Sequence, residues 1–220
     1  MKLLEKYGLF INGEWRDAKD GATLDAKNPA NGEHLAKIAD ATEEDVNDAV
    51  RAAREAFKKF KHTTISERAK LLNKIADIID EHKEHLAKVE SMDNGKPIRE
   101  TLNVDIPFAA EHFRYFAGVI MGEEGSANVL DEKQLSIVLR EPIGVVGQIV
   151  PWNFPFLMAA WKLAPVIAAG DASVFKPSSE TSLSVLELFW LIDKILPKGL
   201  INIVSGRGSK SGEWINHRPG

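Results

Sequence analysis

The stretch that most limits how this chain can fold runs from residue 142 to residue 180, PIGVVGQIVPWNFPFLMAAWKLAPVIAAGDASVFKPSSE. Residues 144–150 are a short apolar run, of the kind that parallel strands show when both faces are covered. Pro151, Trp152, Asn153, Phe154 and Pro155 stop that run. Residues 156–169 are rich in small apolar side chains and close at Gly170, which predicts a helix with a glycine terminator. Residues 172–175 predict a second buried strand that delivers Lys176 at its C-terminal end. Ligands of open α/β sheets bind outside the carboxyl ends of the strands. Asn153 and Lys176 both fall at such ends.

The remainder of the chain fits around this unit. Residues 9–15 and 22–26 predict short strands around a turn at Lys19-Asp20-Gly21, and residues 33–39 predict another strand after the turn at 28–32. Thr42 with Asp45 three residues on is a capping-box variant. Behind it, Val46, Ala49, Val50, Ala53, Phe57 and Phe60 form one apolar stripe. Ser66 is expected to cap one longer helix that ends at residues 93–97, and a third helix is expected over 99–121, bent near Pro107. Residues 134–140 alternate like a hairpin arm. Residues 181–196 predict a helix stopped by Pro197, and residues 200–204 a third buried strand. Strands alternating with helices predict an α/β fold with a doubly wound parallel sheet, preceded by an N-terminal strand and helix region. Two segments are expected: 1–130, with the N-terminal strands and helical layer, and 131–220, with the hairpin arm and the parallel β-α-β core.

Composition narrows the function. A net charge of −4 gives no reason to expect a nucleic-acid partner. No apolar run reaches the length of a membrane span, and the N-terminus lacks the sustained apolar core of a signal peptide. The chain has no cysteine, so disulfides are impossible and a cytoplasmic protein is expected. His62, His82, His85 and His217 show no metal-ligand spacing with carboxylates, so no metal is expected.

EPIGVVGQIVPWNFP, WKLAPVIAAG and VFKPSSETSLS occur in this order, with LFINGEW, NPANGE, SERAKLL and DNGKPIRE upstream and LPKGLINIVSGRGSKSG downstream. This ordered set resembles the aldehyde dehydrogenase superfamily over essentially the whole chain. The resemblance implies a Rossmann-like sheet of the aldehyde dehydrogenase type and NAD or NADP as cofactor. It also implies oxidation of a small aldehyde to its carboxylic acid and, at full length, a cytoplasmic homo-oligomer. The family's nucleophilic Cys and general-base Glu correspond to positions beyond this sequence. The chain is therefore expected to match the N-terminal part of such an enzyme and to be inactive alone. Two other readings stay open: a catalytically inactive nucleotide-binding fragment or degenerate gene product, and an acyl-CoA-forming or non-oxidative relative.

The resemblance also assigns residues. Asn153 matches the side-chain donor to the oxyanion; from the residues alone it reads first as a turn Asn that bonds its own backbone. Ile149, Val150, Pro151 and Trp152 match the wall of the cofactor cleft, and are in any case a strand end and its stop. Lys162 matches a position that joins a proton relay in some members; alone it reads as a snorkelling Lys. Lys176 matches the residue that hydrogen-bonds the adenosine ribose. Ser179 stands where NAD-preferring members often carry Glu. With Glu180 expected to face away from the ribose, tolerance of NADP is predicted. Gly208 and Gly212 match glycines near the pyrophosphate, in a Gly206-x-Gly208-x-x-x-Gly212 run that follows a strand and opens a helix.

Overall fold

A computed structural model describes residues 3–217. The outermost residues of both expected segments lie outside that range. The chain begins with β1 (Lys6–Tyr7), β2 (Leu9–Ile11) and β3 (Glu14–Arg16), followed by β4 (Thr23–Lys27) and β5 (His34–Ala39). Residues 9–15 are therefore a hairpin rather than one strand. Asn12 and Gly13 turn it with φ of 56° and 77°, the primed turn that Asn-Gly favours because both residues tolerate positive φ. β5 pairs with β1 in parallel and with β4 in antiparallel fashion.

The helical layer follows as α1 (Glu43–Phe60), α2 (Ile65–Glu81), α3 (Lys83–Asn94), the short α4 (Ile98–Glu100) and α5 (Ile106–Val119). Both bonds of the Thr42–Asp45 capping box are made. Thr64 with Glu67 caps α2 in the same way, in place of Ser66. The single helix expected after Ser66 breaks at His82, which leaves α2 to pack on α5 and α3 to pack on α7 (Leu183–Ile192). A π-turn over Thr101–Asp105 sits just ahead of Pro107. A prolyl ring lacks an N–H and crowds the carbonyl four residues back, and the widened turn falls where that strain would arise.

β6 (Ser126–Asp131) and β7 (Gln134–Val138) form a separate two-stranded arm, and the 130/131 boundary falls within β6. The alternating region comprises β8 (Val145–Ile149), α6 (Pro155–Ala169), β9 (Ala172–Lys176), α7, β10 (Ile201–Ile203), a π-turn at Gly208–Gly212 and α8 (Glu213–Asn216). α7 is shorter than residues 181–196; turns fill both ends of that span.

The main sheet has the order β3-β2-β10-β9-β8. β8, β9 and β10 are parallel, and β2 joins β10 antiparallel. The N-terminal hairpin thus extends the Rossmann-like half rather than only preceding it. β9 is buried along its length, as a central strand covered on both faces must be. The pleat sends Gln148 and Ser173 towards α6, where Gln148 Nε2 donates to the Lys162 carbonyl at 2.7 Å and Ser173 Oγ donates to Gln148 Oε1 at 2.7 Å. Val145, Gly147 and Val174 face the other way, towards Val50 and Phe57 of α1 and Ile215 of α8. Phe189 of α7 meets Phe10 of β2 at 5.7 Å between ring centroids, so the N-terminal hairpin shares the core of the sheet.

Candidate nucleotide site at the strand ends

Three turns meet at the carboxyl ends of β8, β9 and β10. Ile149 lies in register with Lys176, and the Val150 amide donates to the Lys176 carbonyl at 3.2 Å. Gly212 closes over both. A Cβ placed on it would stand 3.7 Å from Cδ and Cε of Lys176 and 4.0 Å from Cδ1 of Ile149. The fold therefore brings together Ile149, Lys176 and Gly212, which the sequence scatters over more than sixty positions.

The Lys176 side chain is 3% exposed. Its ammonium donates to the Pro177 carbonyl at 3.0 Å. An ammonium has three donors, and this contact uses one of them. Burial pulls its pKa below the usual Lys range, and the Asp40 carboxylate opposes that shift. Asp40, buried before α1, also holds the third turn. Its Oδ1 accepts from the Arg207 amide at 3.1 Å, and its Oδ2 lies 3.3 Å from Arg207 Nη1 and 3.5 Å from Lys210 Nζ. Gly208 lies exposed on this turn with open space where a side chain would be.

The first turn carries Pro151, Trp152 and Asn153, all exposed, beside buried Val150. The Asn153 side chain makes no hydrogen bond to any described residue. A turn Asn bonding its own backbone would show one, so its amide is available as a donor. The Trp152 carbonyl is pinned twice, by Asn94 Nδ2 at 2.6 Å and by Thr181 Oγ1 at 3.3 Å. Lys96 Nζ lies 3.4 Å from the centroid of the Phe154 ring and 2.6 Å from Asp105 Oδ2. Lys162 points to solvent on α6 with no ion pair among the described residues, while its carbonyl belongs to the Gln148 bond.

The second turn departs from expectation. Residues 178–182 are not helical, so the helical spacing of side chains does not apply. Ser179 Oγ donates to Glu180 Oε1 at 3.1 Å, and the two side chains lie together rather than apart.

Several residues that shape this region gave no sequence signal. Glu90 and Asp93 are buried on α3. Glu90 Oε1 lies 3.5 Å from the Phe156 amide in the first turn of α6, and Asp93 Oδ2 accepts from the Leu183 amide at the start of α7 at 2.8 Å. Neither α6 nor α7 has a capping side chain of its own. Burial raises both carboxyls to about 7; Asp105 adds to the rise at Glu90, and Glu90 and Glu180 add to it at Asp93. Asp93-Asn94 reads in sequence only as a helix end, because the partners lie far along the chain. Among the described residues no cluster of three or more His, Asp or Glu is placed to hold a metal, and His85 is bonded to Glu187.

A sheet whose parallel strands β8, β9 and β10 end together in three turns, one of them glycine-rich, defines a Rossmann-like α/β protein. The aldehyde dehydrogenase family profile matches residues 15–220, and the chain belongs to that family. It is 49% identical over 208 residues to an aldehyde dehydrogenase of Rhodospirillum rubrum, covering 94% of this chain and 41% of the relative. The NAD+ complex of an aldehyde dehydrogenase from Bacillus cereus superposes with a TM-score of 0.94 at 41% identity, over 97% of this chain and 44% of that one. PnpE from Pseudomonas sp. WBC-3 gives 0.93 at 42%, with the same coverages of 97% and 44%. The chain thus spans less than half the length of these relatives. Among the described residues no helix is long and apolar enough to cross a membrane.

Proposed function

We propose that this chain supplies the adenosine-binding half of an NAD(P) site and the oxyanion donor of an aldehyde dehydrogenase acting on a small aldehyde. The observation that carries this reading is the convergence of Ile149, Lys176 and Gly212. Gly208 leaves open space for a phosphate to approach the backbone of the 206–212 turn, and Lys176 keeps two donors for ribose hydroxyls. The solved NAD+ complex of the Bacillus cereus relative supports it. The bound cofactor would accept a hydride. The residues of this chain bind and orient: Lys176 and Ser179 at the ribose, the 206–212 turn at the pyrophosphate, and Ile149 to Trp152 along the cleft. The free Asn153 amide would donate to the oxygen of the reacting carbonyl as charge develops there. A neutral donor suits this task, since a full charge would hold the ground state as well. Lys162 is proposed for the proton relay.

The chain holds no cysteine and so no thiolate to add to an aldehyde. Alone it should bind nucleotide without turnover. We further propose that segments 1–130, with the N-terminal strands and helical layer, and 131–220, with the hairpin arm and parallel core, together form the cofactor-binding part of a cytoplasmic homo-oligomer. The exposed apolar side chains Val129, Leu130, Leu135 and Ile137 on the β6–β7 arm support assembly. The test is titration of the 220-residue chain with NAD and NADP, beside an assay of aldehyde-dependent cofactor reduction. Saturable binding without turnover supports the reading; no binding of either nucleotide refutes it.

A further inference from the structure

We propose that the C-terminal end of α3 is a clamp that sets the two site-bearing turns against each other, with Asp93, Asn94 and Glu90 as positioning residues. The two turns, 150–154 after β8 and 177–182 after β9, belong to different crossovers and have no covalent tie between them. α3 touches both. Asn94 Nδ2 donates to the Trp152 carbonyl at 2.6 Å, one residue before Asn153. Asp93 Oδ2 takes the Leu183 amide at 2.8 Å, at the end of the turn that carries Ser179 and Glu180. Glu90 Oε1 sits 3.5 Å from the Phe156 amide, three residues past Asn153. Thr181 Oγ1 closes the ring by donating to the same Trp152 carbonyl at 3.3 Å.

The chemistry explains why carboxyl groups serve here. The first turns of α6 and α7 present N–H groups without intrahelical partners, and each helix end carries partial positive charge. Their own cap positions, Phe154 and Ser182, make no side-chain capping bond, and Ser182 Oγ instead donates to the Ser178 carbonyl at 2.6 Å. Ordinary capping would use a local Ser, Thr, Asp or Asn and would fix each turn only to its own helix. A remote acceptor pair three residues apart on one helix fixes both helix starts to a single rigid element. Asn94 adds a neutral donor where the partner is a carbonyl, and a carboxylate there would be repelled. A shift of about 1 Å at a reacting group is enough to cost much of its effect, so the clamp acts on function through Asn153 and Ser179 without touching a ligand.

The ligand readout rests on the nucleotide-binding reading above; the second readout does not. The 220-residue chain is compared with Asp93→Leu, Asp93→Asn and Asn94→Asp, with thermal unfolding measured for each. AMP is titrated as a probe of the adenosine half. Asp93→Leu should weaken AMP binding about tenfold, whereas Asp93→Asn, which keeps an acceptor oxygen, should stay within about twofold of the wild type. Backbone and side-chain amide resonances are recorded in parallel. Asn94→Asp should move those of Trp152, Asn153, Phe154 and Thr181 and leave Ser173 and Val174 of β9 in place. If the wild type binds no AMP, the nucleotide reading falls and the resonances alone decide the clamp. Unmoved Asn153 resonances, or shifts spread evenly through β9 with a lowered melting temperature, would overturn it, as would equal AMP affinities for Asp93→Leu and the wild type.

Discussion

Asp40 occupies the space that a side chain on Gly206 would need. A Cβ built on Gly206 would stand 2.9 Å from Asp40 Oδ1, 2.9 Å from Ser211 Oγ and 3.1 Å from the Ala41 nitrogen. The backbone there has φ of 144°, a conformation that side chains rarely permit. Strand β10 therefore leads into the 206–212 turn only because residue 206 has no side chain, and Asp40 can then take the Arg207 amide.

Gly206→Ala should destabilise the fold by about 1–3 kcal/mol, the usual cost of a strained backbone position. Chemical denaturation of the 220-residue chain measures this. Nucleotide affinity should fall as well, because the turn must shift away from Asp40. A variant as stable as the wild type would show that the turn relaxes without cost.

Asn153→Ala should lower kcat by roughly 10² to 10³-fold in an enzyme completed with the C-terminal part of a relative, the usual loss for one oxyanion donor. Cofactor affinity should change little. Steady-state kinetics with a saturating aldehyde separates the two effects. Unchanged turnover would reduce Asn153 to a turn residue.

Cofactor choice should depend on Glu180 more than the sequence alone indicates. Ser179 Oγ bonds Glu180 Oε1, so a carboxylate already lies beside the hydroxyl. A carboxylate accepts from a ribose 2′-hydroxyl and repels a 2′-phosphate. Glu180→Gln should strengthen NADP binding relative to NAD, while Ser179→Glu should move the ratio towards NAD by a smaller factor. Paired NAD and NADP titrations of both variants give the ratios. No change in either would place residues 179 and 180 away from the ribose.

The buried carboxyls of α3 predict a pH dependence of stability. Glu90 rises from an ordinary 4.5 to about 7, and Asp93 from 3.8 to about 7, chiefly because burial disfavours their charged forms. The folded pKa exceeds the unfolded one, so their contribution is complete below the ordinary values. It is lost progressively as pH rises towards 7. Glu90→Gln removes that penalty. The variant should gain on the wild type between pH 5 and pH 8 by on the order of 2 kcal/mol, or about 2–4 °C in melting temperature for each kcal/mol. A constant difference across this range would mean that Glu90 keeps an ordinary pKa.

Local patterns in the sequence determine much of this protein. The apolar runs at 144–150 and 172–175, the small-residue helix between them and the glycine at 170 specify a β-α-β unit, because burial on both faces and a glycine stop are local demands. The Thr42–Asp45 box likewise writes a helix start into four residues. Strand ends that carry Asn153 and Lys176 follow from the same alternation. Tertiary structure alone decides the partnerships. β2 joins β10 because Phe10 packs on Phe189 of α7, and nothing near residue 10 specifies residue 203. His82 breaks a continuous apolar stripe because α2 and α3 must meet different helices. The Glu90, Asp93 and Asn94 contacts are invisible in a linear reading, since hydrogen bonds between groups 58 to 90 residues apart leave no periodicity behind. Ser179 and Glu180 show the limit most sharply. Their identities are local, but their relative direction depends on where α7 starts, and Asp93 on a distant helix caps that start.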